Sequence, residues 1–291
     1  MHARQLSTFV AAASTLNFSR AAEMVHLAPS SVSEQIQALE AELGTALFDR
    51  SRRALSLTPA GGRFLDYARE LLSLWEEARA AVAEVAGETR GAIAIGSLET
   101  LAARWLPSIL TPFQREYPEI TVNVKVSGSG HLKNAVRSGE LDLCFTFGAA
   151  PADPRLLHRN MGSSEIVAIM PAERAPQKGA PGSLAQLADQ PFIVTEVGCI
   201  YRQIVEDAFT ASGSSRPRIV AEVGSLAAIQ NMVGAGLGCA IVPRAALPDA
   251  GSAFAVVPLD EIDAVPITMI WRQRRVQPPA IRQFLGVMRG C

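Results

Sequence analysis

The chain has 291 residues, 48% of them hydrophobic, and 27 Lys and Arg against 28 Asp and Glu leave a formal net charge of −1. That length predicts two or three domains with a substantial core, and the near-neutral balance excludes a global electrostatic attraction to nucleic acid or membrane. No apolar run is long enough to span a bilayer, and the N-terminus opens as an amphipathic helix rather than a signal peptide, so the chain is expected in the cytoplasm with its cysteines reduced.

Leu6, Phe9, Val10, Ala13 and Leu16 recur at helical spacing and predict a first helix over 3–16. Asn17 and Phe18 break it, and Ser19 can cap a short second helix running to about Val25. Pro29 suits the first turn of a third helix. There Val32, Ile36, Leu39 and Leu43, spaced 4, 3 and 4, share an inward face. The opposite face offers Ser30, Ser33, Glu34 and Gln37, with Ser31 at its flank, all able to hydrogen-bond base edges or phosphates. Gly44 ends the helix, and two short strands over 47–50 and 54–58 enclose Ser51-Arg52-Arg53, a wing that offers Arg50, Arg52 and Arg53 to phosphate or the minor groove. Arg20 and Pro29 complete the expected DNA-binding set. Charge does not support this reading: residues 1–58 hold five Arg and no Lys against four Glu and one Asp. Binding would rest on where the arginines sit, and a small helical bundle with polar outer faces fits the same pattern.

Thr58 and Pro59 mark the start of a long helix to about residue 86. On it Phe64, Ala68, Leu71, Trp75, Ala78, Val82 and Val85 alternate spacings of 4 and 3, a heptad seam that predicts a two-helix contact between subunits. Phe64, Leu71, Trp75, Val82 and Val85 are the expected dimerisation residues. An ordinary amphipathic helix packed on its own domain is the competing reading. A dimer would aim two recognition helices at a two-fold DNA site. Gly87-Glu88-Thr89-Arg90-Gly91 then interrupts the pattern.

From Ala92 strands and helices alternate, which predicts a parallel α/β sheet. Strands are expected over 92–96, 120–126, 141–146, 166–170, 192–195, 218–223, 240–242 and 265–271. Helices are expected over 101–117, 132–138, 201–211, 225–235 and 279–288. Two similar sets predict two lobes about a cleft, with the last strand and helix returning to the first. Ligands in such sheets sit beyond the carboxyl ends of strands. That places a small-molecule site on the turns carrying Ser97 and Thr100, Ser129, Thr195 to Arg202, and Ser225. Helix N-termini at these turns favour an anion, and Arg202 can clamp a carboxylate. Thr146 and Phe147 follow a strand end as a wall, and Cys199 packs in the ligand loop. The expected ligand is a small organic acid or similar polar metabolite, although such hydroxyls equally cap helices.

Four cysteines and four histidines are scattered without metal spacing, and no catalytic constellation is recognisable. No cofactor and no metal are expected. Cys144 and Cys239 read as buried core thiols.

The N-terminal segment resembles the winged helix-turn-helix of the LysR-type transcriptional regulators. The matched blocks are Leu6-Ser7-Thr8-Phe9, Ser19-Arg20-Ala21-Ala22, Ser33-Glu34-Gln35-Ile36, Leu39-Glu40-Ala41-Glu42-Leu43-Gly44, Leu47-Phe48-Asp49-Arg50 and Leu57-Thr58-Pro59-Ala60-Gly61. Glu34 stands where the family often has Arg, and an acidic residue there repels phosphate or accepts from a cytosine amino group. A looser match continues through Gly139-Glu140-Leu141-Asp142 and the segment 233–243. The resemblance implies an effector domain similar to periplasmic solute-binding proteins, and a homodimer or a tetramer of two dimers. It also implies that a small-molecule effector alters DNA bending or contact with RNA polymerase. One branch of the family senses peroxide through a cysteine in the loop of Cys199 and a second one shortly after it, but the helix that follows here holds no cysteine.

The expected organisation is therefore an all-α winged helix-turn-helix (1–58), a linker helix (59–87) and a two-lobe α/β effector domain (88–291). Lobe I covers about 91–161 and 266–291, lobe II about 162–265. The rival readings are a solute-binding protein for transport, which leaves the first 87 residues unexplained, and a two-lobe α/β enzyme.

Overall fold

The computed structural model describes residues 2–50, 55–85, 90–176, 182–215, 217–248 and 253–289, with the side chains at 80 and 83–85 also left outside the description. It divides into two compact units. One comprises Met1–Gly91, Ser138–Glu140 and Arg274–Gly286, the other Ala92–Arg137, Leu141–Gln273 and Val287–Cys291.

The first unit begins with helices α1 (Ala3–Thr15), α2 (Phe18–Met24) and α3 (Pro29–Leu43). Asn17, not Ser19, caps α2: its side-chain oxygen accepts from the backbone N–H of Ser19 at 2.9 Å and of Arg20 at 3.1 Å. An Asn at that position satisfies two orphan donors at once, which leaves Ser19 in the first turn. Leu16 (φ 46°) and His26 (φ 53°) take left-handed conformations at the two helix ends, and Gly44 (φ 69°) ends α3 as expected. The core beneath is made by Phe9, Ala12, Ala21, Val32, Ile36 and Leu39, all fully buried.

Strands β1 (Phe48–Asp49) and β2 (Ser56–Leu57) pair antiparallel as the base of the wing. Thr58 Oγ1 accepts from Gly61 N at 2.9 Å and caps α4 (Pro59–Val85). Gly61 is forced by proximity: a Cβ there would collide with the Leu47 carbonyl. The predicted seam on α4 divides. Ala68 is fully buried, and Phe64 packs on the core of the same unit, its ring 5.0 Å from that of Phe9. Leu71, Trp75 and Val82 are exposed, together with Tyr67 and Leu74.

In the second unit a five-stranded sheet has the order β4-β3-β5-β12-β6. Its strands are β3 (Gly91–Ser97), β4 (Ile120–Val126), β5 (Leu143–Phe147), β6 (Leu156–Ser164) and β12 (Val265–Arg272). β3 runs parallel to β5, while β12 runs antiparallel to both β5 and β6, so the sheet is mixed rather than purely parallel. β6 falls where no strand was expected. It is an edge strand with His158, Arg159, Asn160 and Gly162 along it and no apolar alternation to announce it. It keeps the chain in this sheet to Ser164, three residues beyond the expected lobe boundary.

The second sheet holds β7 (Ile166–Met170) flanked by β10 (Ala240–Pro243) and β11 (Ala255–Pro258), both antiparallel to it. β8 (Pro191–Val194) pairs in parallel with β9 (Arg218–Glu222), and the bridge between Phe192 and Cys239 joins the two strand groups. The expected helix over 101–117 breaks at Trp105, two residues before Pro107, into α5 (Glu99–Arg104) and α6 (Leu106–Glu116). α7 (Ser129–Ser138), α8 (Leu184–Ala188), α9 (Ile200–Ala211) and α10 (Leu226–Gly234) follow, while α11 (Pro279–Val287) falls, up to Gly286, in the first unit. α8 was not expected, although a Ser183–Gln186 capping box opens it.

Candidate nucleic-acid interface and effector cleft

Burial of Val32, Ile36 and Leu39 fixes the rotation of α3. Its outer side then presents Pro29, Ser30, Glu34 and Gln37 exposed, and Ser31 and Ser33 half-buried. Arg20 on α2 is exposed as well. Gln35, between these positions, is tied down instead: it accepts from Thr8 Oγ1 at 2.8 Å, pinning α3 to α1.

Arg50 is not the free cation the sequence suggested. Its Nη2 lies 3.1 Å from Glu40 Oε2, and its guanidinium carbon sits 5.5 Å from the Phe18 ring centre. Glu40 was not singled out from the sequence, where it reads as one more acid on a helix. Arg52 and Arg53 lie outside the described residues.

Of the expected effector residues, Thr100 follows β3, Ser129 follows β4, Thr195 to Arg202 follow β8 and Ser225 follows β9, but Ser97 ends β3 itself, and Thr146 and Phe147 lie inside β5, fully buried and paired with β12, rather than beyond a strand end. Two of them meet through Tyr201, which the sequence placed on the Thr195 to Arg202 turn without giving it a role of its own. Thr100 Oγ1 and the Tyr201 hydroxyl are 2.7 Å apart in a buried contact, and the Phe147 ring packs edge-on against Tyr201 at 6.0 Å. Tyr201 thus bridges α9, which follows β8, to α5, which follows β3. Burial raises its phenol pKa well above the ordinary value, so it stays protonated. Tyr201 stands on the turn that the sequence marked, and only the topology brings it opposite Thr100.

Two of the hydroxyls serve the backbone. Ser97 and Thr146 are fully buried, and each donates to a neighbouring carbonyl, Leu98 O at 3.0 Å and Phe147 O at 3.3 Å. Thr195 is 5% exposed, and its Oγ1 has no hydrogen-bond partner among the described residues. Ser129 and Ser225 stand half-buried at the starts of α7 and α10. Cys199, half-buried, precedes α9.

Arg202 departs from the open clamp expected of it. Its Nε donates to Glu206 Oε1 at 2.6 Å, and its Nη1 donates to Thr195 O at 3.5 Å and lies 3.8 Å from Glu222 Oε2. The i,i+4 spacing of Arg202 and Glu206 on one helix was readable in advance, but the approach of β9 with Glu222 was not. Burial pushes the Cys144 and Cys239 thiols up to about 12, in keeping with core roles. Among the described residues no group of acidic, His and Cys side chains is arranged to hold a metal, and no helix is long and apolar enough to cross a membrane.

Comparison with known proteins covers both parts of the chain. Residues 3–62 match the family described as bacterial regulatory helix-turn-helix protein, lysR family, and residues 86–290 match the LysR substrate binding domain. The chain is 31% identical over 292 residues to the uncharacterized HTH-type transcriptional regulator YwqM of Bacillus subtilis (strain 168), covering 99% of each. It is similar to full-length CbnR solved in complex with its target DNA, with 26% identity, a TM-score of 0.67 and coverage of 100% of this chain and 99% of the other. Full-length OxyR C199D from Pseudomonas aeruginosa shares the fold at a TM-score of 0.79 and 24% identity, with coverage of 100% and 95%.

Proposed function

The chain belongs to the LysR family of bacterial transcriptional regulators, and from that premise we propose how its own residues divide the work. The observation that carries the proposal is the fixed rotation of α3, which buries Val32, Ile36 and Leu39 and leaves Ser30, Ser33, Glu34 and Gln37 outward. These polar groups read bases in the major groove of a pseudo-palindromic promoter site, and Arg20 and the wing hold phosphates. The domains that act are the winged unit 1–58, the linker 59–87 and the effector domain 88–291.

Exposed Leu71, Trp75 and Val82 on α4 form the seam of a homodimer. An open groove of about 460 Å³ between α6 and β4, lined in part by Leu110, Val122 and Val124, supports a further subunit contact and hence a tetramer. The effector is a small organic acid or similar polar metabolite that enters the cleft at Thr100, Ser129, Thr195, Cys199 and Ser225. To use Arg202, its acid group displaces Glu206. Binding the two states of the cleft with different affinity shifts lobe or subunit geometry, which alters DNA bending or contact with RNA polymerase. The protein works in the cytoplasm and is not an enzyme.

A gel-shift with the upstream intergenic DNA tests the reading. A specific complex that Ser33→Ala and Gln37→Ala weaken is the expected result, and its absence at micromolar protein overturns the proposal. For the cleft, Arg202→Ala should abolish the effector response while DNA binding persists.

A further inference from the structure

Glu40 spends both of its carboxylate oxygens inside the winged unit. Its Oε1 accepts from the backbone N–H of Leu47 at 2.8 Å and of Phe48 at 3.0 Å. Its Oε2 accepts from Arg50 Nη2 at 3.1 Å. The side chain is 16% exposed. Both oxygens are therefore engaged by the segment that enters the wing, just after Gly44 has turned the chain out of the recognition helix.

The opposite side of Arg50 is held too. Its guanidinium lies over the Phe18 ring at 5.5 Å, and Phe18 packs edge-on against Phe48 at 5.4 Å. Glu40, Arg50, Phe18 and Phe48 thus close a ring of contacts joining α3, the wing and α2. A carboxylate that takes two amide donors and one guanidinium makes charge-assisted hydrogen bonds, about twice as strong as neutral ones.

The charge balance gives this ring its meaning. Residues 1–58 carry five Arg, four Glu and one Asp, with no surplus positive charge to draw DNA in. Affinity for a polyanion must then come from where the arginines are held rather than how many there are. A second use of the pair would be a brake, with Glu40 competing against phosphate for Arg50. The two amide contacts speak against that, because a residue that only masks Arg50 has no need to hold strand β1 as well.

We propose that Glu40 is a positioning residue for DNA binding: without touching DNA, it sets β1 and the Arg50 guanidinium at a fixed place beside the recognition helix, and so aims the wing. This rests on the promoter-binding reading, which wild-type binding in the same titration tests separately.

The test uses the full chain and an operator duplex selected from a random-sequence pool. Glu40→Gln keeps an oxygen for the two amides and removes the charge opposite Arg50; Glu40→Ala removes both. Glu40→Ala is expected to lose roughly tenfold or more in affinity, and Glu40→Gln to fall between it and wild type. In both, the slope of log affinity against log salt should become shallower, by about one for each phosphate the wing no longer neutralises. Hydroxyl-radical protection should fade at the outer edges of each half-site while its centre persists. Amide exchange at Leu47 and Phe48 should accelerate in Glu40→Ala and less so in Glu40→Gln. Wild-type affinity and slope in Glu40→Gln, or tighter binding by it, overturns the proposal. An affinity loss in both variants with an unchanged slope and a complete footprint overturns it as well, since that is the mark of a purely structural residue.

Discussion

Thr100 and Tyr201 meet hydroxyl to hydroxyl at 2.7 Å, buried, and in doing so tie the turn after β3 to the first turn of α9. Either oxygen can be the donor, and each satisfies the other. Losing one leaves a buried polar group alone, which is more costly than losing both. On the proposed effector site, a ligand that breaks this bond would have to satisfy both hydroxyls itself.

Tyr201→Phe should therefore destabilise the chain by about 1–3 kcal/mol, the cost of stranding the Thr100 hydroxyl. Thr100→Val should do the same from the other side, and the double variant should cost clearly less than the sum of the two. Chemical denaturation of the four proteins measures the coupling. Strict additivity would show that the contact contributes nothing beyond the two separate side chains.

Asp153 gathers two cations: Arg137 Nε at 2.7 Å and Arg155 Nη2 at 3.1 Å. The Arg155 and then the Arg137 hydrogen bonds hold its carboxyl below the usual carboxylate range. A depressed folded pKa means that the stabilisation is complete above the unfolded pKa and is lost as pH falls below about 4. Asp153→Asn should weaken the chain at neutral pH and flatten its acid unfolding between about pH 4 and 2. Thermal unfolding of both proteins across that range checks it; parallel curves would count against the clamp.

The thiols separate by burial. Cys144 and Cys239 are raised to about 12 by desolvation, whereas Cys199 is half-buried at a helix start. A raised thiol pKa favours the neutral form in the fold. Its stabilisation is thus present below the ordinary thiol pKa and is lost as pH rises from there toward 12. At pH 8 an alkylating reagent should modify Cys199 well before Cys144 or Cys239, which should react only after unfolding. Peptide mapping reads this site by site and keeps Cys291, which lies outside the described residues, apart.

Trp75 and Val82 are 53% and 72% exposed on one long helix, an arrangement that ordinarily needs a partner. Val82→Glu or Trp75→Lys should convert the assembled protein toward monomer at micromolar concentration, as seen by sedimentation, and weaken operator binding in step. Phe64→Ala should behave differently. It opens a cavity inside the winged unit at a cost of about 3–5 kcal/mol and lowers thermal stability before it changes assembly.

Local pattern was enough for much of this molecule. The apolar spacing of Val32, Ile36 and Leu39, the Pro29 start and the Gly44 stop located α3 to the residue. What escaped were features set by neighbours far along the chain. β6 is an edge strand, with a polar sequence that no period distinguishes from a loop. The Phe64 half of the seam is covered by Phe9 of its own unit, a residue 55 positions away that a heptad count does not reveal. Arg202 looked like an open clamp because Glu222 approaches only once β9 pairs with β8. Tyr201 and Glu40 were given no role for the same reason: each matters through a partner on another element.

Four rings, Phe18, Phe48, Phe9 and Phe64, touch in succession from α2 through the wing strand β1 and α1 to α4, at centroid separations of 5.4, 5.6 and 5.0 Å. Close-packed rings neither compress nor slide freely. A tilt or twist imposed on the exposed stretch of α4 should arrive at the wing undiminished, so the reading head turns with its rod as a single lever rather than swivelling on a joint.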